Sequence, residues 1–205
     1  MTPAESSSRA TAGAAHDRQD SGRDPLEEII YRNSFGRGAV TLSSGRTSDF
    51  YFDMKPSMLD PQGAQIIAER VHREAAAVGA EFVGGLEMGA VPITGAVCLH
   101  SFKSSRPIHG FFVRKKAKEH GAKKVVEGLP KGWTLAGKRV AIVEDVTTTG
   151  ESALAAARAC RAEGAEVVLV ISIVDREEGA AEAFAQERIP FKSLFKASTF
   201  LNRRD

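Results

Sequence analysis

The sequence predicts an α/β protein built around a parallel, doubly wound sheet. After Gly79, short apolar runs rich in β-branched residues alternate with helix-forming segments, which is the order typical of βαβ units. Two of these runs are followed directly by a small-residue turn and a helix, at Gly89 and at Gly150. In open α/β sheets, ligands bind at the carboxyl ends of the strands. We therefore expect one sheet with helices on both faces and a ligand site beside these turns.

Composition narrows the possible classes of protein. The chain has 205 residues, enough for one domain with a full core, and 42% of them are hydrophobic and 26% charged. A net charge of +2 gives no field that would attract nucleic acid, and the apolar stretches are shorter than the roughly 20 residues of a membrane span. We therefore expect neither nucleic acid nor a membrane as a partner. Cys98 and Cys160 fall in helical stretches without metal-site spacing, which fits a cytoplasmic location.

The chain divides into a tail and one domain. Residues 1–24 are rich in Ser, Ala, Arg and Asp and offer little to bury, so we predict a disordered tail. It lacks the apolar core of a secretory signal, and its acids argue against a transit peptide. Residues 25–205 are predicted to form a single domain. Its residues 25–55, with a helix at 25–34 and a hairpin pairing 39–42 with 50–52, form a small added lobe.

The other elements follow from apolar spacing and helix caps. A helix begins at Asp60-Pro61, where Asp is a good N-cap and Pro suits the first helical position, and it runs to Gly79. Strands are predicted at residues 81–85, 107–113, 140–143, 165–174 and 190–195, and further helices at 93–102, at 152–160 and up to about Gln186.

The most informative stretch is residues 140–152. A buried strand is ended by the acids Glu144 and Asp145, and a hydroxyl-rich turn closing on Gly150 then leads into a helix. Backbone N–H groups at the positive end of a helix bind phosphate, and Thr148, Thr149 and Ser152 add side-chain donors. Two carboxylates would repel a phosphate, so the pattern indicates a ligand that also offers hydroxyls, as ribose does, or a metal ion.

The alternative is an ordinary strand-to-helix turn with a Thr or Ser N-cap and two solvated acids. Two familiar nucleotide-binding loops are excluded, because the chain contains neither a Gly-x-x-x-x-Gly-Lys-Ser/Thr sequence nor a Gly-x-Gly-x-x-Gly sequence after a strand. The turn at Gly89 is open to two interpretations as well. Its amides could hold a second anionic group, or the glycine could simply make a tight turn.

Three other segments carry side chains suited to a site. The basic segment 114–124 is a solvated face if taken alone, but next to a phosphate turn it suits capture of a polyanion. Arg176 follows a strand, where it could bind a ligand or pair with Glu177 or Glu178 on the surface. The aromatic residues 50–52 could pack in the sheet or stack on a ligand.

Residues 143–150 resemble the phosphoribosyl pyrophosphate (PRPP) motif of the type I phosphoribosyltransferase family. Together with segments 44–53, 114–121 and 175–179, they make the chain similar to the orotate phosphoribosyltransferases of that family, over roughly residue 25 to the C-terminus. The resemblance implies the type I fold, with the added lobe as an N-terminal hood. It also implies transfer of the phosphoribosyl group from PRPP to orotate, giving orotidine 5′-monophosphate and pyrophosphate, a step of pyrimidine biosynthesis.

The resemblance also implies site residues and partners. The residues implied for PRPP are Arg114, Lys115, Lys118, His120, Glu144, Asp145, Val146, Thr147, Thr148, Thr149, Gly150, Glu151 and Ser152, and those for orotate are Thr148, Arg176, Tyr51 and Phe52. Lys118, His120 and Arg114 are implied as catalytic. Mg²⁺ is implied as a cofactor held mainly by PRPP near Glu144 and Asp145, with no direct protein ligand. A homodimer is implied in which the loop 114–124 closes over the neighbouring subunit's site.

The chain departs from many bacterial members at Ser43 and Met88, where those relatives carry substrate-contacting lysines, for which Lys55 could compensate. Glu151 replaces a small hydroxyl residue, and its side chain is expected to point away from the phosphate. Two other functions are considered. A purine-type phosphoribosyltransferase is disfavoured by Arg176 and the aromatic hairpin. A non-catalytic PRPP-sensing regulator that binds nucleic acid is disfavoured by the near-neutral charge and the intact loop.

Overall fold

The computed structural model describes residues 22–41, 47–115 and 125–203. The helices are α1 (Pro25–Asn33), α2 (Lys55–Leu59), α3 (Pro61–Ala77), α4 (Ala90–Ser101), α5 (Glu151–Ala162), α6 (Ala180–Gln186) and α7 (Ala197–Leu201). The strands are β1 (Phe35–Thr41), β2 (Thr47–Phe52), β3 (Phe82–Leu86), β4 (His109–Val113), β5 (Val126–Glu127), β6 (Arg139–Thr147), β7 (Glu166–Asp175) and β8 (Phe191–Lys196). Within these segments, no helix combines the length and the apolar character that crossing a membrane requires.

The main sheet has six strands in the order β5-β4-β3-β6-β7-β8. Every neighbouring pair is parallel except β4 with β5, which confirms the predicted parallel α/β architecture. From β3 the chain moves outward to β4, whereas from β6 it moves outward in the other direction to β7 and β8. Such a reversal of strand order opens a crevice at the carboxyl ends of the two central strands, β3 and β6, where ligands of this architecture bind.

Helices cover both faces of the sheet, as predicted. On one face, Ile67 and Val71 of α3 and Ile93 of α4 pack in a cluster with Val83 and Val143. On the other face, α5 and α6 contribute a second cluster with the alternate residues of β6, among them Val140 and Ile142. Successive side chains of a strand point to opposite faces, so a strand covered on both sides must be apolar throughout, as β6 is from Val140 to Val143.

The small lobe is an antiparallel hairpin of β1 and β2, in the register Phe35↔Phe52. Its inner face joins the core through aromatic contacts. The Phe52 ring lies 5.2 Å from that of Phe35 and 5.3 Å from that of Phe200 in α7. Aromatic pairs at this spacing are favourable beyond the area they bury. The hairpin is therefore attached to the end of the main sheet by a shared aromatic cluster.

The structure corrects several predicted boundaries. Asp24 does not belong to a tail, because its carboxylate accepts a hydrogen bond from the Leu26 amide at 2.9 Å and two from Arg70 at 2.7 and 2.8 Å. Strand β6 continues through Glu144 and Asp145 to Thr147, so the acids do not end it. Helices α2 and α7 and strand β5 have no counterpart in the sequence prediction, since each is shorter than the periodicity that identifies an element.

Candidate active site

The carboxyl ends of β3, β4 and β6 bring three predicted segments to one edge of the sheet. Strand β6 ends with the acids and Thr147, and β3 is followed by the turn at Gly89. Arg114 and Lys115 follow β4 directly. The Lys115 amide donates to the Glu87 carboxylate at 3.1 Å, which ties the start of the basic segment to the turn after β3. Residues distant in sequence therefore form a single crevice wall.

The turn after β6 is built to leave backbone donors open. Gly150 has φ +85, a left-handed conformation that favours glycine, and helix α5 begins at the next residue. Among the described residues, no side chain caps this helix, so its first N–H groups lack the usual acceptor. The hypothesis of a Thr or Ser N-cap is therefore wrong. An uncapped helix N-terminus beside a hydroxyl-rich turn is suited to an anion such as phosphate.

The side chain of Glu151 does not obstruct this turn. Its carboxylate accepts a hydrogen bond from Nη1 of Arg158, seven residues later, at 3.1 Å. The carboxylate is therefore directed along the helix and away from the turn, as predicted. The backbone N–H of Glu151 remains part of the first helical turn. Of the hydroxyl residues predicted to contribute donors, Thr148 is half-buried, and Thr149 and Ser152 are exposed.

The two acids lie at different depths. Glu144 is only 8% exposed, and its Oε2 atom has no hydrogen-bond partner among the described residues. Burial raises the pKa of Glu144 well above its ordinary value, and the neighbouring charge of Asp145 raises it further. Asp145 is half-buried, and its Oδ1 atom accepts from the Val146 amide at 2.8 Å. The hypothesis that both acids are solvated is therefore wrong, because one acceptor is held buried and unused.

Gly89 is needed for close approach and not for a tight turn. Its φ is −55°, which any residue can adopt. A Cβ atom at this position would lie 2.5 Å from Oδ1 of Asp145, closer than real Cβ contacts come. The turn after β3 therefore packs directly on the Asp145 carboxylate. Met88, where relatives carry a lysine, is 67% exposed beside this turn.

The basic segment is described only at its start. The Arg114 amide donates to the Val125 carbonyl at 2.9 Å, and the Arg114 guanidinium lies 3.6 Å from the Glu127 carboxylate. Lys115 lies close enough to Glu144 for its positive charge to lower the pKa of that acid, against the dominant effect of burial. Two predicted loop residues, Lys118 and His120, lie outside the described residues, as does Ser43.

Lys55, considered as a substitute for the missing lysines, is the first residue of α2. Its Nζ atom lies 2.8 Å from Oδ1 of Asp53. Contact with Asp53 raises the pKa of Lys55, and the more distant charge of Asp145 adds to this effect. Lys55 is therefore near the acid pair. Its substitution for the absent lysines stays a prediction.

Arg176 is buried, although the sequence left open a surface ion pair. Its side chain is 3% exposed. Its Nε atom donates to Oε1 of Glu178 at 2.8 Å, and its Nη2 atom donates to Oγ of Ser48 in the hairpin at 2.9 Å. The backbone amide of Arg176 donates to the Thr147 carbonyl at 2.8 Å. The residue therefore connects the hairpin, the end of β7 and the end of β6.

The predicted aromatic pair is divided by strand alternation. Along β2, Ser48, Phe50 and Phe52 are half-buried, whereas Tyr51 points to the other face and is 42% exposed. Phe52 packs in the aromatic cluster of the core. The aromatic ring beside Arg176 belongs to Phe50, whose centroid lies 4.3 Å from the guanidinium carbon. The structure therefore places Phe50 against the guanidinium, which period-2 alternation from Ser48 could have indicated, and contact of Tyr51 and Phe52 with a base stays a prediction.

The residues at the acid pair fit Mg²⁺ only as a partial ligand set. Within the described part of the chain, no group of three or more His, Cys, Asp or Glu side chains could hold a metal ion. One or two carboxylates, with the remaining positions filled by water and substrate phosphates, is nevertheless how Mg²⁺ is commonly bound. The unpartnered oxygen of Glu144 and the carboxylate of Asp145 suit that arrangement and suit the hydroxyls of a sugar equally well.

Comparisons with known proteins agree with this geometry. The family model "Phosphoribosyl transferase domain" matches residues 61–195. The chain is 60% identical over 181 residues to orotate phosphoribosyltransferase of Rhodopseudomonas palustris (strain BisB5), covering 88% of this chain and 97% of the relative. It is 45% identical over 182 residues to the protein of that name in Aquifex aeolicus, covering 87% of this chain and 97% of that one.

A solved structure extends the comparison to a bound substrate. Orotate phosphoribosyltransferase of Mycobacterium tuberculosis H37Rv, crystallised in complex with PRPP, has a TM-score of 0.69 and 36% sequence identity. The match covers 85% of this chain and 96% of that one. Sequence and structure therefore agree over nearly the whole described chain. The protein belongs to the orotate phosphoribosyltransferases of the phosphoribosyltransferase family.

Proposed function

We propose that this chain transfers the 5-phosphoribosyl group from PRPP to orotate, with orotidine 5′-monophosphate and pyrophosphate as products. The observation that carries this proposal is the juxtaposition at the end of β6 of an uncapped helix N-terminus and a buried carboxylate oxygen without a partner. One suits the phosphate of a sugar phosphate and the other suits its hydroxyls. The 60% identity to an orotate phosphoribosyltransferase supports the same reaction.

The turn after β6 holds the 5-phosphate. The backbone amides at Gly150, Glu151 and Ser152 point out of the first turn of α5, and the hydroxyls of Thr148 and Thr149 add donors. Val146 and Thr147 complete the predicted binding stretch by placing the turn at the end of the strand. Because Glu151 is paired with Arg158, its carboxylate does not repel the phosphate.

The acid pair holds the ribose. Glu144 and Asp145 accept hydrogen bonds from the two ring hydroxyls, which fixes the sugar while its ring flattens around the cationic anomeric carbon. Desolvation of Glu144 is offset when a hydroxyl reaches Oε2, so ligand binding replaces a missing partner. Mg²⁺, held mainly by PRPP near these acids, supplies charge neutralisation of the pyrophosphate.

The basic segment acts on the leaving group. Arg114 and Lys115 stand at the crevice wall, and Lys118 and His120 follow in the same segment. Their positive charge stabilises departing pyrophosphate, and His120 hydrogen-bonds or protonates it. We propose that the loop 114–124 closes over the site of the neighbouring subunit in a homodimer, and that the enzyme works in the cytoplasm.

Arg176 and Thr148 form the orotate end of the site. The Arg176 amide is bonded to the Thr147 carbonyl, so the backbone of Arg176 lies directly beside the end of β6. The guanidinium pairs with the carboxylate of orotate. Tyr51 and Phe52 were predicted beside the base as well. In this conformation Phe50 occupies the place next to Arg176, so contacts of Tyr51 and Phe52 with orotate remain a prediction.

A spectrophotometric assay of orotate consumption tests the reaction, with PRPP and Mg²⁺ each present or omitted. We expect consumption only when both are present. Lys118→Ala should lower kcat by about 100-fold, since it removes one charge that stabilises the leaving group. Lys131→Ala, at an exposed position outside the site, is the matched control. Turnover of Lys118→Ala at the wild-type rate would exclude the role proposed for the loop.

Mixing two inactive variants tests the shared loop. If the loop acts across the dimer, Lys118→Ala subunits combined with Asp145→Asn subunits form hybrid dimers in which one site carries both changes and the other carries neither. Random assembly should then restore about a quarter of the wild-type activity if the loop acts across the dimer. Activity that stays at the level of the separate variants would show that each subunit uses its own loop.

A further inference from the structure

Three contacts hold the guanidinium of Arg176. Nε donates to Glu178 and Nη2 donates to Ser48, at 2.8 and 2.9 Å. The ring of Phe50 lies against the guanidinium plane, with 4.3 Å between its centroid and the guanidinium carbon. Two of these partners come from the hairpin, and Ser48 precedes Arg176 by 128 residues. The hairpin therefore determines where this cation lies.

The hydroxyl of Ser48 is oriented by its own donor bond. Its Oγ atom donates to the Phe50 carbonyl at 2.9 Å, so an oxygen lone pair is left to accept from Nη2 of Arg176. The same short strand thus supplies an acceptor at the edge of the guanidinium and a ring at its face. Because the guanidinium is planar, fixing one edge and one face also fixes the direction of its remaining donors.

The remaining donors of Arg176 are both N–H groups of Nη1 and the second N–H of Nη2. Among the described residues, no atom accepts a hydrogen bond from Nη1, whereas Nε and one N–H of Nη2 are engaged. A carboxylate that approaches Arg176 can therefore pair with the Nη1 and Nη2 end of the guanidinium. It cannot form the two-atom pairing through Nε and Nη2, because Glu178 already accepts the single N–H of Nε.

We propose that Ser48 and Phe50 are positioning residues that set the carboxylate specificity of the base site by holding Arg176 with its Nη1 and Nη2 end available. This inference rests on the proposed pairing of Arg176 with the carboxylate of orotate. Neither residue needs to touch the base. Displacement of the hairpin would release the guanidinium, so the docked hairpin is a condition for recognising an acidic pyrimidine.

The first test distinguishes effects on the KM for orotate from effects on the KM for PRPP. Ser48→Ala should raise KM for orotate about tenfold, because one hydrogen bond to a charged group is lost. Phe50→Leu should raise it about fivefold, because the cation–π contact is lost. In both variants, kcat and KM for PRPP should stay within about twofold of wild type, and Ser48→Thr should restore the KM for orotate. Asp49→Ala, on the outer face of the same strand, is the control and should leave all three constants unchanged.

A double-mutant cycle tests whether Ser48 acts through Arg176. In an Arg176→Met background, Ser48→Ala should cause no further loss, since the group that it positions is absent. Additive losses would overturn the proposal, as would equal effects on the KM values of orotate and PRPP. Thermal unfolding of each variant identifies any variant that fails to fold. If Phe50→Leu does not fold, the KM for orotate of Ser48→Ala is sufficient to test the proposal. A wild-type protein that does not consume orotate would overturn the proposed function itself, whereas active wild type with unaffected variants would overturn only the positioning role.

Discussion

The two ends of the site are built in different ways. The sugar-phosphate end, defined here as residues 144–152, is one continuous stretch in which a strand, a turn and a helix follow directly. The base end, defined as Ser48, Phe50 and Arg176, joins residues that are up to 128 positions apart. The first end takes its shape from local backbone geometry. The second exists only after the hairpin has docked on the sheet, so it depends on tertiary packing.

The largest expected effect lies at the sugar-phosphate end. Asp145→Asn keeps the shape of the side chain but removes the charge that we propose accepts a hydrogen bond from a ribose hydroxyl. We expect kcat/KM for PRPP to fall about 100-fold, in line with the loss of a charge-assisted hydrogen bond. Steady-state kinetics with varied PRPP measures it. Glu166→Gln, an exposed acid at the opposite end of the sheet, is the control. A fall in kcat/KM for orotate without a fall for PRPP would contradict the proposal that the two ends bind different substrates.

The complementary change is Arg176→Met at the base end. Loss of the guanidinium should lower kcat/KM for orotate about 30-fold, because the carboxylate loses its charged partner. The KM for PRPP should change less than about twofold, since the amide of residue 176 still bonds to the Thr147 carbonyl. Kinetics with each substrate varied in turn provides the measurement. An equal loss for both substrates would mean that the two ends are not independent.

Gly89→Ala probes the turn that faces Asp145 from β3. The added Cβ would lie 2.5 Å from Oδ1, so either the turn or the carboxylate must move. We expect kcat/KM for PRPP to fall about tenfold, because displacement of a catalytic contact by a fraction of an ångström is costly. The control is Gly95→Ala in α4, where no atom lies within 4 Å of the added Cβ. It should leave activity unchanged and stabilise the helix by about 1 kcal/mol. Full activity in Gly89→Ala would show that Asp145 is not used in the position seen.

The smallest expected effect is on thermal stability, which is lowered by burial of the Glu144 carboxylate at the sugar-phosphate end. Burial raises the pKa of Glu144 above its ordinary value of 4.5, so at a pH between the ordinary and the raised pKa the folded protein holds a proton that the unfolded chain releases. The stability gained from this proton is present below about pH 4.5 and is lost as the pH rises through the raised pKa. Glu144→Gln should therefore be less active but melt about 2–6 °C higher at pH 8, with a smaller difference at pH 5.

Thermal unfolding across this pH range measures the effect. A Tm of Glu144→Gln below that of wild type at pH 8 would mean that the carboxylate is satisfied by contacts other than those described. The matched variant Glu166→Gln removes an exposed acid and should not reproduce the gain. No gain in Tm is expected from Arg176→Met at the base end, because that change removes the hydrogen bonds that Nε and Nη2 make to Glu178 and Ser48.

Local patterns were sufficient for the sheet and for the sugar-phosphate end. Apolar runs such as residues 140–143 identify strands covered on both faces, and Asp60-Pro61 marks the start of α3 where the structure has it. The continuation of β6 through Glu144 and Asp145 could not be predicted. Acids are unfavourable in a buried strand, and the backbone hydrogen bonds to β7 outweigh that preference.

Close approaches and long-range contacts were decided by the tertiary structure. The sequence contains Gly89, but only the packing of the turn after β3 on Asp145 shows why a side chain is excluded there. Arg176 was identified as a candidate, yet its burial and its contacts with Ser48 and Phe50 arise from docking of the hairpin. The sequence by itself determined the strand–turn–helix proposed to hold a sugar phosphate, because such backbone geometry depends on neighbouring residues. The direction of the Arg176 guanidinium depends on atoms far apart in the chain, and only the folded structure brings them together.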